Sequence, residues 1–283
     1  MARSRGPAGN LLRLLSAGFH ARGCAIDDPL RDAWVKHARA LTHIQVLNAA
    51  SGALVAAEPR PYRLTAAFEP DAECHVVRFE QLRAPDSQLA AIVGDVAHNL
   101  RSALDAAAWQ LALRHDRKAA KASRRHVVLP LSRSEKAFRR HDALRFFSSA
   151  ALATIERLQP YDRPERRHVE ALRLLGALSN TDRHLVVDTC FVSLDFSGVD
   201  YRPESGSVLM IEDFTRPGAI LAGGAPVACV TVEGAAEANL HVEGEPSLQV
   251  AFTTSKAQFG PAAIVAMFAT VEYALLQLSL LLG

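Results

Sequence analysis

Residues 166–196 read RRHVEALRLLGALSNTDRHLVVDTCFVSLDF, and within this stretch the chain changes its period. Up to Leu178 the pattern is helical, opened by Pro164. From Leu185 onward β-branched and apolar residues alternate with polar ones, which is the two-residue period of a strand. Four more such runs follow, at 207–214, 225–232, 238–242 and 248–253, separated by Gly, Pro and Asp turns. Alternation of this kind predicts an antiparallel sheet with one solvated face.

Downstream, 262–283 is apolar except for Glu272 and a few neutral polar residues, and it is long enough to span a bilayer. A charge in mid-segment costs roughly 2.5–3.5 kcal/mol there. Ile264, Phe268, Val271, Leu275, Leu278 and Leu282 follow a 4,3,4,3,4 spacing, one seam of a helix. A buried core helix or a homodimer interface is expected, and no membrane partner.

Upstream, Asp28-Pro29 reads as an N-cap and N1 pair, and Trp34, Ala38, Leu41, Ile44 and Leu47 continue as an apolar stripe. Pro59 and Pro61 close that helix; 62–68 and 74–82 then read as a hairpin. Helical patterns occupy 87–115, 134–147 and 149–158, with a basic irregular stretch and a short extended piece at 126–131 between them. The expected fold is α+β: a helical bundle with a small N-terminal hairpin and an antiparallel sheet inserted before a C-terminal helix. By residue this means a disordered extension over 1–26, a mainly helical domain over 27–184 with its hairpin at 62–82, a β segment over 185–256, and a helix over 257–283 packing on the bundle.

A hydrophobic fraction of 49% and a charged fraction of 22% exclude wholesale disorder. Net charge is only +2, but it is unevenly spread. Residues 114–168 hold 15 Lys and Arg against 6 Asp and Glu, while 188–250 hold 10 acids against 2 bases. These are either solvated faces or, for the basic one, a surface for an anionic partner such as RNA. Cys24, Cys74, Cys190 and Cys229 show no CxxC or zinc spacing, so reduced, mostly buried thiols are expected, with a cytoplasmic setting. The histidines are scattered, and there is no Walker loop, dinucleotide fingerprint, HExxH or GxSxG. No metal and no cofactor are expected.

Polar groups concentrate in two segments, 98–105 (HNLRSALD) and 179–184 (SNTDRH). On a helical wheel Leu89, Val93, Val96, Leu100, Leu104, Ala107 and Leu111 share one face. His98, Arg101, Asp105 and Trp109 lie opposite, and Arg101 and Asp105 are neighbours at i,i+4. Asn99 and Ser102 lie to the side with Asp95 and Ala106. The second segment can simply close a helix, since Asn tolerates a left-handed residue and Asp and Arg can pair with backbone.

These residues resemble an uncharacterised but widespread bacterial family that combines GDxxHNLRSALDH with a later LQPY and NxDKHR. The matches here are Gly94-Asp95, residues 98–105, Leu158-Gln159-Pro160-Tyr161, Asn180, Asp182 and His184. Ala106, Arg183 and Leu185 depart from the pattern. The family's Arg-x4-His is in turn similar to the catalytic motif of HEPN domains, helical bundles that include metal-independent ribonucleases. That resemblance implies an arginine stabilising phosphate charge at Arg101 and an imidazole acting as acid or base. Ala106 removes the histidine, so catalysis requires His98 or His184 to supply it. The first expectation is a binding or interaction module in which Asn99, Arg101, Asp105, Asn180, Asp182 and His184 form a buried cluster joining two helices, and the diverged HEPN-like ribonuclease is the alternative.

Overall fold

The computed structural model describes residues 28–161, 166–181, 187–233, 239–255 and 257–283. The extension expected over 1–26 lies outside them. The fold is α+β, and the described residues divide into two compact units, those within Met1–Val46, Ile92–Leu185 and Ala262–Gly283 in the first and those within Leu47–Ala91 and Val186–Pro261 in the second.

The first unit is helical. Its elements come from α1 (Arg31–Val55), α2 (Ser87–His115), α3 (Arg117–Ala122), α4 (Glu135–Arg139), α5 (Ser149–Arg157), α6 (Arg166–Thr181) and α7 (Pro261–Ser279). The expected Asp28 cap is present, its Oδ1 accepting from Leu30 N at 2.7 Å. The helix expected over 134–147 is two pieces instead. α4 is started by Ser134, and the His141 ring then accepts from Ala143 N at 3.2 Å, which opens a separate 3₁₀ turn.

The C-terminal seam is core. Ile264, Phe268, Val271, Leu275 and Leu278 are all buried within this chain, so a second copy is not what covers them, whereas Leu282, the last residue of the expected seam, lies past the end of α7 and is half-buried. α7 is the one helix among the described residues long and apolar enough to cross a membrane, and half of its most apolar window is buried. Fully buried His37 stacks on Phe268 at 3.9 Å between ring centroids, with its Nε2 3.1 Å from the Phe268 carbonyl. Burial lowers its pKa to about 4.

The second unit is built on antiparallel sheets. One sheet runs β1 (Tyr62–Glu69), β2 (Cys74–Gln81), β7 (Ala225–Glu233), β5 (Ser207–Asp213). The other runs β10 (Gln258–Phe259), β9 (Ser247–Thr253), β3 (Asp188–Asp195), β6 (Ile220–Leu221), and β4 (Val199–Pro203) pairs with β8 (Leu240–Gly244). Tyr62, Phe79 and Phe191 pack as a buried aromatic trio. The N-terminal hairpin is therefore not an appendage of the helical part. β2 pairs with β7, with His75 opposite Val230 and Val77 opposite Ala228.

The same pairing corrects the expectation of reduced thiols. Cys74 and Cys229, 155 residues apart, form a disulfide across β2 and β7, with Cα atoms 6.0 Å apart; Cys190 is free. Only a strand register formed across the whole chain could bring them together, so local spacing carried no sign of it. Entry to β5 is fixed by Gly206, whose φ of +84° suits glycine and where a Cβ would lie 2.0 Å from the Glu233 carbonyl oxygen.

Candidate functional site

The i,i+4 spacing of Arg101 and Asp105 on α2 does produce a paired site, but its partner is a piece of extended chain. Arg101 donates to Asp105 through Nε (3.1 Å to Oδ2) and Nη2 (2.8 Å to Oδ1). The same Nη2 donates to the Leu129 carbonyl at 2.7 Å, and Asp105 Oδ1 accepts from Leu129 N at 2.9 Å. The two side chains thus answer both backbone groups of Leu129, as a neighbouring strand would.

Gln159 continues the same work along this segment. It is 1% exposed, and its Nε2 donates to the Pro130 and Ile155 carbonyls at 2.9 and 3.0 Å. Its Oε1 accepts from Ser132 N at 2.9 Å. Leu129, Pro130 and Ser132 are buried and belong to no sheet, so their backbone groups need such partners. Residues from two separate motif matches, HNLRSALD and LQPY, therefore converge on one extended segment. Gln159 belonged to a matched motif yet was not singled out, because nothing local says where a buried amide will point.

The rest of the expected cluster is distributed differently. Asn99 donates from Nδ2 to the Asp95 carbonyl of its own helix at 2.8 Å and is only half-buried. His98 is exposed. Asp182, His184 and the side chain of Asn180 lie outside the described residues. With side-chain exposures of 21% and 29%, Arg101 and Asp105 form a half-buried pair rather than a sealed one.

A histidine that sequence reasoning passed over stands near this pair. Burial lowers the pKa of His141, and the charge of Arg101 lowers it further. Since His141 Nδ1 accepts from Ala143 N, the neutral ring carries its proton on Nε2. A second histidine, His168, places Nδ1 3.1 Å from Thr270 Oγ1, whose own proton goes to the Ala266 carbonyl at 2.7 Å. Nδ1 of His168 is therefore the donor. Beside it a shallow cleft of about 70 Å³, lined by Thr154, Arg157, Leu158, Tyr273 and Gln277, has room for a few waters. No group of three His, Cys, Asp or Glu able to hold a metal occurs among the described residues.

The basic surface divides into spent and unspent charges. Arg139 pairs with Glu135 at 2.7 Å and Arg114 donates to the Leu282 carbonyl at 2.5 Å. Arg124 lies 5.6 Å over the Trp109 ring. Arg117, Lys118, Lys121 and Arg125 are exposed and form no ion pair among the described residues. Compared with protein-family models, curated proteins and solved structures, the chain matches none.

Proposed function

We propose that this protein is a non-catalytic binding module that takes an anionic polymer, RNA in the first instance, on the surface formed by residues 117–126. One observation carries the reading: four exposed cations, Arg117, Lys118, Lys121 and Arg125, have no carboxylate partner among the described residues and flank an arginine stacked on Trp109. Exposed cations without a carboxylate among the described residues suit a phosphate backbone. Arg101, by contrast, spends its guanidinium on Asp105 and Leu129. The expected cytoplasmic setting meets a physical objection in the Cys74–Cys229 bond, which reducing compartments seldom keep. The proposal holds in either redox setting, because residues 117–126 and the disulfide belong to different units.

The test is fluorescence anisotropy with a labelled single-stranded RNA over a salt series. Replacing Arg117, Lys121 and Arg125 by Gln should weaken binding and flatten the slope of log K against log salt by about 2. An unchanged slope would remove the proposal.

A second reading, a diverged HEPN-like metal-independent ribonuclease, takes its imidazole from His141, whose pKa is lowered by burial and then by the charge of Arg101. On that reading His141 stands in for the histidine missing at Ala106. RNA cleavage by the purified protein, abolished in both Arg101→Ala and His141→Ala, would establish it over the first. Intact RNA would dismiss it.

A further inference from the structure

We propose that the free edge of β5 is a docking site for an extended segment of a partner protein, apolar in its middle and carrying Lys or Arg at one end. β5 hydrogen-bonds to β7 along one side and ends its sheet, so no described strand pairs with its other side. Such an edge presents unpaired N–H and C=O groups that another strand can take up.

The side chains support this. Eleven large hydrophobic residues are exposed among those described, and four of them lie on β5 or directly after it: Leu209 at 60%, Met210 at 55%, Ile211 at 48% and Phe214 at 47%. Met210 and Ile211, beyond the bulge, are consecutive exposed apolar residues, so both faces of the strand are uncovered there, since successive side chains point to opposite sides. A cluster of this kind marks an interaction surface, where scattered exposed residues would not. The register shift between Val208 and Met210 leaves Leu209 without a partner on β7, which turns it outward.

Charge selects the occupant. β5 ends in Glu212 and Asp213, both exposed and without a cation among the described residues, and its first residue, Ser207, pairs with exposed Glu233. In antiparallel pairing with a second copy centred on Met210, Asp213 of one chain would face Ser207 of the other, next to Glu233. Such a joint would bring no cation to Glu212 or Asp213 at either end, since β5 carries none. A strand with cations facing Glu212 and Asp213 meets opposite charge there and apolar surface along 209–211.

The experiment uses the full chain and a labelled peptide, KKVTVTV, with an acidic twin, EEVTVTV. The basic peptide should bind about tenfold tighter than its twin, the sum of a few exposed charge pairs changing sign. Binding should protect the amides of 207–213 from hydrogen exchange. Glu212→Lys/Asp213→Lys should invert the preference, with an unchanged circular dichroism spectrum reporting a retained fold. Met210→Lys, at an exposed position, should weaken the basic peptide. Equal affinity for the twins, binding of neither, or an unaltered preference in the double variant would each overturn the proposal. A concentration-dependent dimer in sedimentation, lost in Met210→Lys, would give the edge to a second copy and overturn it as well.

Discussion

Two extended segments of this chain face the same physical problem and meet it differently. Residues 127–132 lie outside any sheet, and their buried backbone is answered by side chains: Arg101 and Asp105 on Leu129, Gln159 on Pro130 and Ser132. β5 lies inside a sheet, and its outer backbone is answered by nothing in the described chain. Burial is the difference. Leu129 is 1% exposed, so an unpaired group beside it would cost roughly 1–3 kcal/mol, whereas Met210 at 55% has water to bond. A chain satisfies extended backbone where water is excluded and can leave it open where water, or a partner, is available.

The largest break in this comparison comes from the closed side of the β5 sheet. There Cys74 and Cys229 tie β2 to β7 across a sequence separation of 155 residues. Chain-entropy reasoning for a loop of that length puts the cross-link at about 4–5 kcal/mol. Cys74→Ser/Cys229→Ser, or reduction with dithiothreitol, should lower the unfolding free energy of the β unit by about that amount in a urea titration. A loss below about 1 kcal/mol would mean that the sheet's register, not the bond, holds the two strands together.

The clasp should respond next. Gln159→Leu keeps most of the volume but strands the Pro130 carbonyl and the Ser132 N–H in the core, at about 3 kcal/mol for the two. Asp105→Ala strands Leu129 N and unpairs Arg101, but the pair is partly solvated, and screening limits the loss to about 2 kcal/mol. The same titration, followed at Trp109, checks the order. If Asp105→Ala proves costlier than Gln159→Leu, the charged half of the clasp outweighs the buried amide.

What could be read beforehand follows from the range of each interaction. The change of period at 179–185 announced an α+β chain, and the 4,3,4,3,4 seam announced a buried helix; both depend on neighbours in sequence. The Arg101–Asp105 pair was legible for the same reason, being one helical turn apart. Its engagement with Leu129, 24 residues beyond Asp105, was not, because the backbone of a partner segment has no residue type to betray it. The membership of the hairpin in the later sheet and the Cys74–Cys229 bond were hidden likewise: both need β2 and β7 in register. The open edge of β5 was hidden by its own composition. SVLMIED reads as an ordinary strand, and exposure is decided by which strands arrive beside it.

The smallest expected effect bears most directly on the comparison. Leu209→Thr and Met210→Thr keep β-propensity and remove apolar surface that the chain itself does not cover. Each should change stability by less than about 0.5 kcal/mol, as surface substitutions do. Leu129→Ala, an equally extended position inside the clasp, should cost about 2–5 kcal/mol. Measured in one denaturant series, the contrast separates two meanings of an exposed hydrophobic strand. A near-zero change at 209 and 210 means that this apolar surface contributes nothing to folding and is kept for contact with something else. A loss above about 1 kcal/mol would mean that the strand is packed in solution, and the edge would then be closed by the chain itself.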